Sequence, residues 1–96
     1  MKLPKSVQVG PFRYEVATEQ KLPSDRWGGC DHDWRRISLS KDMPPTQQSV
    51  TFLHEIVHAV NSVFKADLKE RQVEVIANGL SQALGSMGAW PEEFEP

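Results

Sequence analysis

Thr51-Phe52-Leu53-His54-Glu55-Ile56-Val57-His58-Ala59 is the stretch from which the rest of the chain is read. Val50, Phe52, Leu53, Ile56, Val57, Val60 and Val63 form a broad apolar face at helical spacing, which predicts a buried helix rather than a solvated one. His54 and His58, four positions apart, lie on one side of that helix, one turn above the other. Their imidazoles can close on a single tetrahedral zinc ion, with the intervening Glu55 directed at a water on that metal. A third protein ligand completes such a site and leaves one position open. Zinc then lowers the pKa of the water, and the glutamate takes its proton as the water attacks a carbonyl. Burying these histidines and a glutamate in a core helix without a metal is costly, which favours the metal over coincidence.

Outward from this stretch, the helix is expected to begin with Thr46 as N-cap and to run to about Phe64. A second helix is predicted from Asp67, with Glu70 at its third position in a capping-box arrangement. Val73, Ile76, Ala77, Leu80 and Leu84 form its apolar stripe, and it should stop near Gly85 or Gly88. Gly79 costs about 1 kcal/mol relative to alanine inside a helix, so a local irregularity is expected there. Trp90-Pro91 opens an acidic tail.

The first half reads as β. Ser6 to Val9 and Phe12 to Thr18 alternate on either side of a Gly10-Pro11 turn, which predicts a hairpin. Lys21 to Gly29, with Pro23, Ser24, Asp25 and the Gly28-Gly29 pair, reads as loop. Trp34 to Leu39 offers a third strand, with Ile37 and Leu39 on one face. The expectation is one α+β domain spanning 1–96: β-rich over 1–45, two helices over 46–88, and an acidic tail over 89–96. A small antiparallel sheet of about three strands would pack on the first helix and on a second, ligand-bearing one.

Composition narrows the partners. A net charge of −2 in 96 residues argues against a dominant nucleic-acid surface. No segment approaches the length of a membrane-spanning helix, and Met1-Lys2-Leu3-Pro4-Lys5 lacks the apolar run of a secretory signal. The single cysteine, Cys30, provides no internal disulfide and fits a reducing cytoplasm. A soluble cytoplasmic protein acting on a protein or peptide, with no direct nucleic acid and no membrane, is the expectation.

For the third ligand the second helix is the natural donor. Glu74 leads on spacing, Glu70 is next and Asp67 last. His32 and Tyr14 are candidates to steady an oxyanion or touch substrate, if their strands border the cleft. Consecutive Cys30, Asp31, His32 and Asp33 alternate sides on a strand and do not converge readily on a second metal. Asn61 or Asp67 could orient a ligating histidine. Trp27, Trp34 and Trp90 are read as packing residues, and Arg35 and Arg36 as a solvated strand face.

The motif His54-Glu55-Ile56-Val57-His58, followed by Glu74-Val75-Ile76-Ala77-Asn78, resembles gluzincin-type metallopeptidases, nearest the ImmA/IrrE-type often encoded by phages and mobile elements. The resemblance covers roughly the last half of the chain. It implies a minimal zincin fold, a zinc-dependent peptide hydrolase, ligands His54, His58 and Glu74, and Glu55 as general base. The chain departs from that pattern at Gly79-Leu80-Ser81, where an aromatic and an alanine are usual. A metzincin reading fails, because Asn61 and Phe64 stand where glycine and a third histidine are needed. The rival expectation is a non-catalytic zinc protein that binds a regulatory partner, in the manner of a phage anti-repressor.

Overall fold

The computed structural model describes residues 1–95; Pro96, the last position of the expected acidic tail, lies outside them. Four strands are present, β1 (Ser6–Val9), β2 (Phe12–Glu19), β3 (Gly28–Asp31) and β4 (Arg36–Ser40), followed by helices α1 (Pro45–Phe64) and α2 (Glu70–Ser86). The class is α+β, as the order of apolar periods predicts.

The hairpin forms as expected, with Val9 paired to Phe12 and Ser6 to Glu15 across the turn. Gly10 serves that turn in two ways. Its φ of 57° suits a residue without a Cβ, and a Cβ there would stand 2.9 Å from Val63 Cγ1 on α1.

The expected three-stranded antiparallel sheet is corrected to four strands in the order β1-β2-β4-β3, with β2 and β4 parallel. The missed strand is β3, Gly-Gly-Cys-Asp, whose glycine pair reads as a turn in sequence. Its place at the edge has a simple cause. Ile37 and Leu39 of β4 are fully buried, so β4 takes the interior position, and the glycine-rich segment is left at the rim. A tight connection, 32–35, joins β3 to β4 antiparallel.

One sheet face packs on α1. Val9, Tyr14, Ile37 and Leu39 from the strands meet Phe52 and Ala59 of the helix, and Phe94 closes the cluster. The C-terminal stretch expected as an acidic tail is therefore docked. Phe52 contacts both Trp90 and Phe94 at ring separations of 5.8 and 5.6 Å, and Trp90 Nε1 donates to Ser49 O. Trp90 packs as expected, whereas Trp27 is partly exposed and Trp34, in the β3–β4 turn, is 82% exposed. Arg35 lies over the Phe12 ring and Arg36 pairs with Glu19.

Helix α1 starts two residues' reach earlier than Thr46, with Pro44 as N-cap and Pro45 in the first turn, where a missing N–H costs nothing. It ends at Phe64 as expected, on a left-handed Lys65 whose N–H reaches Asn61 O. Helix α2 starts at Glu70, not after Asp67. Lys69 is its N-cap, and the Gln72 side chain accepts from the Lys69 N–H at 2.8 Å. It runs through Gly79 without interruption, because no neighbour approaches that position and the rest of the stripe holds the helix.

Among the described strands and helices, α2 packs only on α1, through Val57 against Val73 and Ala77 with Leu68 and Ile76 beside them. The connection is fixed by Asn61, which accepts from Leu68 N at 2.9 Å and donates to Leu68 O at 3.2 Å. Asn61 thus sets where α2 begins rather than orienting a histidine. Among the described residues no helix is long and apolar enough to cross a membrane.

Replacing Asn61 with alanine leaves both Leu68 backbone groups without their partner in a part-buried loop. The expected loss is about 1–3 kcal/mol in urea unfolding, against almost none for the exposed Ser62→Ala.

Candidate metal centre

Between the β3 edge, α1 and the first turn of α2 lies a cleft of about 360 Å³ lined by Arg26, Gly28, Gly29, Cys30, His32, His54, Glu55, His58 and Glu70. His54 and His58 project into it from α1, both about three-quarters buried, with their Nε2 atoms 3.1 Å apart. Glu70 reaches them from α2: Oε1 stands 2.9 Å from His54 Nε2 and Oε2 3.0 Å from His58 Nε2. These side chains lie close enough to hold a metal ion, and among the described residues they are the group that does.

Glu74, expected ahead of Glu70, is exposed and stands outside this group. Helix geometry explains the reversal. Val73 and Ala77 define the α2 face turned to α1. At about 100° per residue, Glu70 lies about 40° from the centre of that contact and Glu74 about 80°, on the same side. Glu70 also occupies the first position of α2, where the helix dipole favours a carboxylate.

Glu55, one residue after the first histidine, is 6% exposed. Burial pushes its carboxyl up to about 7; His54 and Arg26 pull it down, and Glu70 pushes it further up. A cation held by the histidines would act in the same direction as Arg26 and favour the carboxylate. The His58 imidazole is held below its usual range by burial, against the pull of Glu70, and both His54 and His32 depress it further. A neutral imidazole is the form that binds metal, so the depression of His58 favours ligation.

His32 lines the cleft, as expected if its strand borders it. Tyr14 does not: it is 1% exposed within the sheet–helix core and takes no part in the cleft wall. Its inward place in the β2 alternation, between Phe12 and Val16, commits its ring to packing. Cys30 Sγ lies 3.5 Å from His32 Nδ1, and burial followed by the charges of Glu55 and Asp31 pushes the thiol up to about 12. It therefore stays protonated, and the Cys30–Asp33 run does not gather a second metal group among the described residues.

Two residues of the cleft carry no signal in the sequence. Gly28 is placed where a Cβ would stand 2.8 Å from Glu55 Oε2 and 2.9 Å from Thr51 Cγ2, so the edge strand passes α1 closely only because the side chain is absent. Arg26 forms another part of the wall, held by its Nε donating to Pro23 O at 3.2 Å.

The Glu55 shift has a sign that can be checked. Raised from 4.5 to about 7, this group stabilises the fold fully below pH 4.5 and loses that contribution as the pH rises to about 7. Glu55→Gln removes the loss. In the presence of a chelator, the variant should gain on the wild type by up to about 3 kcal/mol between pH 4 and pH 8 in urea unfolding; a pH-independent difference would contradict the assignment. Comparison with known protein families, curated proteins and solved structures gives no match for this chain.

Proposed function

We propose that this chain is a small zinc-dependent peptidase, with His54, His58 and Glu70 as metal ligands and Glu55 as general base. The observation that carries the reading is the convergence of two imidazoles and a carboxylate in one cleft with a buried glutamate beside them. Zinc fits this donor set. In a tetrahedral zinc site with bonds of roughly 2.0–2.1 Å, ligand atoms stand about 3.3 Å apart; the two imidazole nitrogens are 3.1 Å apart, and Glu70 offers one oxygen to each of them. Zinc held there supplies an acidified water and a Lewis acid for a carbonyl oxygen.

The chain's own groups divide the remaining work. The Glu55 carboxylate takes the proton of the attacking water and passes it to the leaving amine nitrogen, a task suited to a buried carboxylate that a neighbouring cation would keep ionised. His32, on the cleft wall, is placed to donate to a substrate oxygen. Strand β3 is the sheet edge, and its outward backbone groups can pair with an extended peptide laid along the cleft.

Metal content by elemental mass spectrometry tests the ligand set. Wild type and Glu74→Ala should each hold about one zinc, His58→Ala should lose it, and Glu70→Ala should bind much more weakly. Equal retention by Glu70→Ala combined with loss in Glu74→Ala would overturn the assignment. On a peptide substrate, Glu55→Gln should keep its zinc and lose activity by at least about 100-fold. Zinc binding without turnover of any peptide, and without hydroxamate binding, would leave the non-catalytic, partner-binding reading.

A further inference from the structure

The cleft does not stop at the metal ligands. Arg26, Gly29, Cys30 and His32 also line a second depression of about 550 Å³ on the other side of β3, shared with Glu19, Asp33, Arg36, Ser38 and Asp31, whose carboxylate already accepts from the Asp33 and Trp34 amides. The two form one groove that crosses the sheet edge, and Arg26 stands at the crossing. We propose that Arg26 binds a carboxylate of the substrate, so that the groove selects peptides with an acidic group close to the bond that is cut. This rests on the peptidase reading above.

Several observations place a carboxylate there. The Arg26 guanidinium lies across Gly29, with Nη1 and Nη2 both 3.6 Å from the point where a Cβ would stand. Its Nε is already used on Pro23 O, which fixes the plane and leaves the terminal nitrogens to donate side by side. That fork matches the two oxygens of a carboxylate. Among the described residues no carboxylate lies within ion-pair distance of Arg26. The adjacent Asp25 is instead taken by Lys21 at 3.3 Å, and Arg36, the other arginine of the groove, by Glu19 at 3.5 Å. The segment that presents Arg26 is also unusual. Ser24 and Asp25 have φ of 61° and 54°, a left-handed pair that side chains rarely adopt, and strain of this kind persists where the surrounding structure holds a functional group in place. Arg26 is exposed, and although its charge favours the buried Glu55 carboxylate, no ion pair joins the two.

The carboxylate can come from an acidic side chain or from a peptide C-terminus. Two pairs of peptide hydroxamates separate these sources. One pair carries glutamate or glutamine beside the hydroxamate, with an amidated C-terminus. The other pair has a neutral sequence and ends in a free carboxylate or an amide. Binding to the zinc-loaded chain is measured by calorimetry for wild type, Arg26→Gln and Arg26→Lys, each checked for an unchanged melting temperature and zinc content. In the wild type, the carboxylate member of at least one pair should bind about tenfold tighter than its amide. Arg26→Gln should abolish that advantage, read as the affinity ratio within each pair so that any effect of Arg26 on Glu55 cancels, and Arg26→Lys should restore part of it. Equal affinities within both pairs in the wild type, or an advantage that survives Arg26→Gln, would overturn the proposal and leave the metal site standing. Failure of every hydroxamate to bind a zinc-loaded wild type would overturn the open-site reading and the proposal together.

Discussion

Helix α1 is covered from two directions, and the strip left between the covers carries the histidines of the candidate metal centre. Phe52 and Ala59 are committed to the sheet and Val57 to α2. A helix of this length cannot bury its whole circumference in so small a domain, because the sheet covers one face and a single further helix covers another. The uncovered strip holds His54 and His58, with Glu55 tucked beneath the edge strand. Their positions follow from the apolar residues around them. Each side chain of the candidate centre hangs from an element whose orientation is set by packing, as precise placement of ligands requires.

The contact between α1 and α2 rests on few fully buried side chains and is decisive in effect. Val57, Val73 and Ala77 fix the rotation of α2 about its axis, and Asn61 fixes where α2 begins. Rotation and start together choose which glutamate meets the histidines. Electrostatics then follow from geometry. His54, His58, Glu55 and Glu70 crowd within one cleft, and burial holds the His58 imidazole below its usual range and pushes the Glu55 carboxyl up. The same crowding that is unfavourable in the bare chain is what a divalent cation relieves, which couples ligand binding to stability.

The legible parts of this molecule were those with a strong period. The hairpin, the end of α1 at Phe64 and the inner part of the α2 stripe, Val73, Ile76 and Ala77, follow from alternation and helical spacing, although Leu80 of that stripe is exposed; His54, Glu55 and His58 follow from their spacing along one helix. What escaped depends on relations between elements. Glu70 and Glu74 share a side of α2, and only the crossing of two helices separates them. The glycines of β3 carry no side chain to show a strand, and the edge position that admits them is set by Ile37 and Leu39 several residues away. Trp90 and Phe94 look like part of an acidic end because the glutamates around them dominate the composition, yet the aromatic rings decide where the segment lies. Arg26 belongs to a loop with no pattern at all.

The two glycines at the start of β3 are neighbours in sequence and strangers in tolerance. At position 28 a single added carbon would collide with the side chains of Glu55 and Thr51, whereas at position 29 it would meet the Arg26 guanidinium at an ordinary contact distance. In a saturation library selected for folding alone, alanine should therefore populate position 29 and be scarce at position 28. A residue with no side chain at all would then be as intolerant of substitution as a core residue, because Glu55 and Thr51 beneath it leave no room for a Cβ.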